Sequence, residues 1–445
     1  MANVVLISTY EMGRQPFGIA SPAAWLRQEG AAVTVQDLSV SHFDPESVRR
    51  ADVVAFHVPM HTATRLAEPV LEQVQRLNPK AHVCFYGLYA PLNDDHLRRL
   101  GVDSILGGEF EHGLVALYRE LFNVGDLVAT VDEPRFIVPD RSGLPRLGEY
   151  ARLEVSGQSM VTGYTEASRG CKHRCRHCPI VPVYDGRFVV VPADVVLEDI
   201  ERQVAAGAEH ITFGDPDFFN GPAHAMRIVE RLHAAYPGLT YDATIKVEHL
   251  RARSDLIPAL KETGCVLVTS AIESFDDVIL ERLDKQHTRG DIEFALKTLR
   301  DADLPLNATF VAFTPWTSMA GYLDFLQTIV DLGLVGNVAP IQYAIRLLIV
   351  AGSRLLDLSD VAEAVEAFDE SALVHPWQHD DPAVDELQRT LLSLVDREQT
   401  AGSSKRQIFA EVWHAAHAAA HGEPIPLPDV GDLATIPFFT EPWFC

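Results

Sequence analysis

Thr165-Glu-Ala-Ser-Arg-Gly-Cys171-Lys-His-Arg-Cys175-Arg-His-Cys178-Pro179 places three of the chain's six cysteines within eight residues. Thiols spaced C-x3-C-x2-C converge only if the loop between them wraps around a common centre, and an odd number of them is not a closed disulfide set. A metal centre is the economical reading. A structural zinc site wants four ligands, usually from two knuckles, and neither a second knuckle nor a suitably spaced histidine pair accompanies this one. A four-iron four-sulfur cluster normally takes four cysteines, so three leave one iron open for a ligand that is not protein. The competing reading is a zinc-binding or redox-inert loop.

With a ring residue, His177, just before the last cysteine, the stretch resembles the signature of the radical S-adenosylmethionine (SAM) superfamily. The resemblance implies that Cys171, Cys175 and Cys178 hold a 4Fe-4S cluster. It further implies that SAM chelates the open iron through its amino and carboxylate groups, and that an electron from the cluster cleaves the sulfonium to give a carbon radical.

A length of 445 residues predicts two to three domains, and 47% hydrophobic with 22% charged residues is the composition of an ordinary folded protein. No run of eighteen or more apolar residues occurs, so no transmembrane helix and no membrane partner are expected. The start, Met-Ala-Asn-Val-Val-Leu-Ile-Ser, lacks a basic region before its apolar run and is not expected to be a signal peptide. A formal charge of −25 argues against general nucleic-acid binding, because a phosphate backbone is held by Lys and Arg; a small-molecule substrate is expected instead. The cysteine usage fits a reduced cytoplasm, with Cys84 and Cys265 read as buried small hydrophobes.

Residues 1–123 alternate strand-length apolar runs (3–8, 33–38, 52–57, 82–87 and 104–108) with helical segments, which predicts a doubly wound parallel sheet. Upstream of a radical SAM core, this region resembles the cobalamin-binding domain of the cobalamin-dependent members. The loop 9–18, the turn 87–90 and residues 107–111 then fall on the ligand-facing edge. The D-x-H-x-x-G motif that supplies a histidine to cobalt in many such domains is missing, and Asp94-Asp-His96 reads as the start of an ordinary helix. Both a cobalamin site and a flavodoxin-like scaffold or lid stay open. Residues 124–160 read as a linker.

From 161 to 355 the alternation restarts, with strands ending near Thr165 and covering 210–214, 240–246, 265–270, 307–313 and 341–347. Six such units match the partial (β/α)6 barrel of the superfamily, whose active site gathers at the carboxyl ends of the strands. Gly214-Asp215-Pro216-Asp217 resembles an acidic-aromatic motif that offers Asp215 or Asp217 to the SAM ammonium, and Ala271-Ile-Glu273-Ser274 resembles the segment in which the Glu273 carboxylate binds the ribose with Ser274 supporting it. Lys246 and Arg346 are candidates for the SAM carboxylate, with Arg346 favoured because an Arg in so apolar a run requires a partner. The alternatives are a plain turn at 214–220, a helix cap at Ser274 and a solvated strand end at Lys246.

Residues 356–445 predict helices at 361–368, 383–397 and 407–421 followed by an extended aromatic tail, Ile436-Pro-Phe-Phe-Thr-Glu-Pro-Trp-Phe-Cys445. His414, His417 and His421 share one helical face, read as a packed or solvated face rather than metal binding. The tail resembles that of the radical SAM group named for a Cys-Sec-Ala-Glu-Pro or Cys-Cys-Ala-Glu-Pro ending. That likeness implies a catalytic Cys445 and a selenocysteine codon, UGA, directly after it; the alternative is a disordered tail with an incidental Cys. The combined expectation is an enzyme that cleaves SAM reductively, fed by a donor such as flavodoxin or ferredoxin, to modify a small molecule, with methyl transfer if cobalamin is bound. Aminocarboxypropyl transfer to a soft element such as arsenic, or a non-catalytic iron–sulfur and corrinoid carrier or sensor, are the alternatives.

Overall fold

The computed structural model describes residues 2–124, 136–431, 433 and 435–441. Cys445, the expected second thiol, and part of the expected linker lie outside them.

Five apolar runs form the first sheet: β1 (Asn3–Ser8), β2 (Ala32–Asp37), β3 (Val53–His57), β4 (His82–Tyr86) and β5 (Ser104–Leu106), all parallel and ordered β2-β1-β3-β4-β5. Strands buried on both faces need helices on both sides. Two apolar cores duly flank the sheet, one around Ile7, Phe56 and Phe85, the other around Leu6, Ile19 and Leu114. The strand order reverses between β1 and β3, which opens a crevice beyond their carboxyl ends.

The second sheet begins inside the stretch expected to be a linker. β6 (Arg152–Val155) turns back through Ser156 and Gly157, both at positive φ, and pairs antiparallel with β7 (Gln158–Thr165). A short two-stranded sheet, β8 (Ser168–Gly170) with β9 (Phe188–Val190), brackets the cysteine loop. β10 (His210–Phe213), β11 (Thr240–Thr244), β12 (Cys265–Glu273) and β13 (Leu306–Phe310) then continue in parallel from β7. The expected sixth parallel strand does not form. Pro340–Tyr343 is a 3-10 turn, where proline lacks the N–H a ladder requires, and only isolated bridges at Ala308–Val338 and Phe313–Arg346 extend the barrel wall.

The C-terminal helices Pro382–Thr400 and Lys405–His421 bury Leu391, Phe409 and Trp413 in the barrel's own core. The first predicted helix is shorter, Ser359–Ala364, because Val365 leaves it to bridge with Trp377. Trp413, His417 and His421 stack along one face, with centroids 4.4 and 5.7 Å apart, which accounts for two of the stripe's three histidines as ring packing. The tail returns as β14 (Phe438–Phe439), antiparallel to β6, and closes the sheet order β13-β12-β11-β10-β7-β6-β14. Among the described residues no helix is long and apolar enough to cross a membrane.

Arg141 anchors the connecting segment. Its guanidinium donates to both oxygens of buried Asp199 (3.0 and 2.9 Å), to the Tyr164 carbonyl (2.7 Å) and to Gln15 Oε1 (3.0 Å). Removing one partner of such a pair strands the other charge away from water. Arg141→Met is expected to cost about 3 kcal/mol in urea unfolding, and the further change Asp199→Leu to restore part of it. A double variant no more stable than the single one would show that the stranded carboxylate is not the cause.

Candidate active site

The cysteine loop leaves β8 through Gly170 at φ +73°, where a Cβ would lie 2.5 Å from the Arg187 carbonyl oxygen, so only glycine admits the turn into Cys171. Asn220 braces the entry: its Oδ1 accepts from the Lys172 N–H (3.2 Å) and lies 3.8 Å from Cys171 Sγ, and its Nδ2 donates to the Gly170 carbonyl (3.4 Å). The exit closes as a turn, Cys178 N–H to Cys175 carbonyl at 3.1 Å. Arg176 ties the middle of the loop to the Glu281 and Arg282 carbonyls (3.0 and 2.8 Å).

No disulfide joins the thiols. Burial, then the neighbouring Cys175, pushes the Cys178 thiol up to about 12, and burial likewise raises Cys171. Three mutually opposed, desolvated thiols suit a cationic soft-metal centre that takes the charge off each sulfur. The donor set therefore fits three irons of a cluster, and Cys178 opens onto a cavity of about 500 Å³.

That cavity lies between the two sheets. One wall comes from the first domain, including Glu11, Met12, His57, Met60, Leu88 and Phe110; the other comes from β7, β8 and the barrel strands. The loops expected on the ligand-facing edge are thus the ones that line it. His57 Nδ1 and Glu11 Oε2 face each other at 3.4 Å, and neither atom has a hydrogen-bond partner among the described residues.

The sequence candidates divide into two groups. Asp215 lines the cavity, accepting from the Ala167 N–H (2.9 Å) and the Ser168 hydroxyl (2.5 Å) while burial pushes its carboxyl up to about 7. Asp217, Lys246 and Glu273 instead surround the back of the cysteine loop. Asp217 sits 2.6 Å from His249 Nδ1 and 3.5 Å from His173 Nε2; burial alone would raise its carboxyl, yet these rings hold it well below the usual range. Lys246 Nζ lies 3.1 Å from both His173 Nδ1 and Glu248 Oε2, so it is not a solvated strand end. Glu273, at φ +70°, meets His177 at 3.1 Å and Lys285 at 3.3 Å, which overcome the effect of burial and hold its carboxyl at about 2.

Ser274 accepts from the Asp276 N–H (3.0 Å) and lines a small separate pocket with Glu273, while Asp276 caps the next helix. Arg346 is not at the cavity. Its charge is matched by Asp385 at 2.5 Å, and its guanidinium lies 3.4 Å from the Trp377 ring centroid, fastening the C-terminal segment. Asn220, Lys285, His57 with Glu11, and the buried Arg169 escaped the sequence reading, since nothing local marks their partners.

Residues 165–318 match the family model of the radical SAM superfamily. The chain carries a radical SAM domain. A threonylcarbamoyladenosine tRNA methylthiotransferase of Thermotoga maritima is 20% identical over 271 residues, covering 58% of each protein. The chain thus spans rather more than half the length of this curated relative. An uncharacterised methyltransferase of Pyrococcus horikoshii is 25% identical over 327 residues, covering 67% of this chain and 70% of the relative. Among solved structures, the cobalamin-dependent radical SAM enzyme OxsB superposes with a TM-score of 0.70 at 14% identity, over 94% of this chain and 71% of OxsB. The radical SAM methyltransferase TsrM from Kitasatospora setae gives 0.59 at 17% identity, over 75% and 70%. These likenesses cover both sheets and confirm the fold: a doubly wound parallel sheet followed by a partial barrel.

Alanine at Cys171, Cys175 or Cys178 is expected to abolish the broad iron–sulfur absorption near 400 nm after anaerobic reconstitution, and Asn220→Leu to weaken it while all three thiols remain. Full iron content in any single cysteine variant would refute the three-thiol site.

Proposed function

We propose that the chain is a radical SAM enzyme that transfers a methyl group to a small molecule with the help of cobalamin. The observation that carries this is the shared cavity: the last cluster cysteine, Cys178, opens into the same space as the switch-point crevice of the first sheet. The cluster, when bound, supplies an electron to the SAM sulfonium, and cobalamin supplies a carrier for the methyl group.

The chain's own residues do the holding. Asp215, of the two carboxylates in its motif, faces the cavity and is placed to take the SAM ammonium, whereas Asp217 and Glu273 position His173 and His177 of the cluster loop. Cobalamin fits the first-domain wall chemically, because Met12, Met60, Leu88 and Phe110 offer an apolar bed and His57 and Glu11, facing each other at 3.4 Å, offer polar atoms within it. His57 is buried against Gly18, where a Cβ would fall 1.9 Å from the ring, so that bed has a fixed shape. The named relatives supply methyl or methylthio transfer as the reaction class. The tRNA substrate in the first relative's name does not suit a chain of charge −25, which favours a small molecule. Flavodoxin or ferredoxin is the class of electron donor proposed.

Anaerobic incubation with reductant, cobalamin and SAM tests this. Formation of 5′-deoxyadenosine and S-adenosylhomocysteine is the expected outcome, with Leu88→Trp losing cobalamin absorption while keeping that of the cluster. Methylthioadenosine as the main product would replace methyl transfer by aminocarboxypropyl transfer, and absence of SAM turnover would leave a carrier or sensor.

A further inference from the structure

The inner face of the barrel is polar where a closed barrel would be packed with branched apolar side chains. Thr212 of β10, Asp242 and Thr244 of β11, Thr269 of β12 and Asn307 of β13 all line the one cavity. Register places them side by side: Thr212 pairs with Asp242, Thr244 with Thr269, and Thr269 with Asn307. They form a continuous hydrogen-bonding floor beneath the mouth where Asp215 and Cys178 sit.

Two of these groups are incompletely satisfied. Thr212 Oγ1 is fully buried and has no hydrogen-bond partner among the described residues. Asp242 is 4% exposed, and its one side-chain bond is between His210 Nε2 and Oδ1 at 3.0 Å; no further side-chain bond to it occurs among the described residues. Buried polar groups in folded proteins are almost always paired, so an open carboxylate oxygen beside an open hydroxyl signals a ligand that brings donors.

Charge around the cavity points the same way. Glu11, Glu166, Asp215 and Asp242 line it against two guanidiniums. Arg169 is saturated by Glu111, Glu109 and Glu166, and Arg14 lies between the Tyr164 and Phe439 rings at 5.3 and 5.2 Å. Neither guanidinium is bonded to Asp242. Phe439, from the tail, also packs edge-on against His210 with centroids 6.3 Å apart, so the tail walls the chamber on the Asp242 side.

We propose that the barrel floor recognises a small substrate bearing a protonated amine, with Asp242 taking the ammonium and Thr212 an adjacent polar group of the substrate. This rests on the reading of the cavity as the reaction chamber. An anionic group in the same place would meet the Asp242 carboxylate, whose one side-chain partner among the described residues is the His210 ring, so the floor disfavours acids and favours amines.

The test uses the full-length protein with its cluster reconstituted anaerobically, and saturation-transfer NMR with three matched probes: 3-aminopropan-1-ol, propane-1,3-diol and 3-hydroxypropanoate. Salt at about 0.3 M screens the acidic surface so that only the enclosed carboxylate counts. The amine is expected to bind saturably and about tenfold more tightly than the diol or the acid. Asp242→Asn should remove that preference, Thr212→Val should weaken amine binding severalfold, and Asn307→Asp, which adds a second carboxylate to the floor, should strengthen it. Equal binding of the three probes, or an amine preference that survives Asp242→Asn, would overturn the proposal. The gain expected of Asn307→Asp keeps it refutable should the loss variants fail to hold their cluster. SAM turnover in the same wild-type preparation separates the two readings. Turnover without an Asp242-dependent amine preference sinks the substrate class alone, and the preference without turnover sinks the enzymatic reading while upholding the amine site.

Discussion

The fold depends on one buried guanidinium. Arg169, only 6% exposed, sits on β8 immediately before the cysteine loop and reaches into the first domain, where both Glu111 oxygens accept from it at 2.7 Å and Glu109 at 3.1 Å. Glu166 adds a third carboxylate at 2.7 Å, and Ser21 donates to Glu111. Taking such a group from water is costly, and its partners repay the cost only when all are in place. The clamp therefore acts as a register device. Either domain displaced by a few ångströms would leave a bare charge in the interior, so the pairing fixes how the crevice of the first sheet meets the mouth of the barrel.

That constraint explains why the cavity has two chemically different walls. The first-domain side is largely apolar, apart from Glu11, Arg14 and His57, because it is built from loops that follow fully buried strands. The barrel side is polar because its strands alternate, with Ile211, Phe213, Tyr241 and Ala243 turned into the core and Thr212, Asp242 and Thr244 turned inward. Arg14 and Phe439 seal the gap between the walls, and Gly13 lies close enough to the tail that a Cβ there would meet Glu441 at 2.6 Å.

The cysteine loop and the two rounds of strand–helix alternation were legible because each rests on local spacing: three thiols in eight residues, and apolar runs of strand length. Cys84 and Cys265 proved to be buried free thiols, as their apolar settings implied. What local spacing does not encode is the identity of a distant partner. Arg346 was right to demand one, but Asp385 and Trp377 lie more than thirty residues away, on the outer side of the barrel. Glu273, whose motif offers its carboxylate to the ribose, is instead closed on by Lys285 and His177, which its own segment does not reveal. The polar floor did leave a trace, since polar residues recur at every second position in His210-Ile-Thr212 and Thr240-Tyr-Asp242-Ala-Thr244. Deciding which face such a pattern serves requires the curl of the sheet.

The acids near the loop are sorted by that geometry. Behind it, Asp217 and Glu273 are matched with His173, His249, His177 and Lys285, and are held below the ordinary carboxylate range despite burial. In front of it, burial without a full complement of cations raises Glu166 and Asp215 to about 7. The first pair has its counterions built in and serves to fix the loop. The second pair is only partly matched, Glu166 by Arg169 and Asp215 by the neutral donors of Ala167 and Ser168, and a cationic ligand entering the chamber would draw both carboxyls toward their charged form while losing little solvation that the walls had not already removed. A site whose rigid half is electrostatically closed and whose open half is electrostatically deficient is suited to binding a sulfonium compound and an amine together in one cavity.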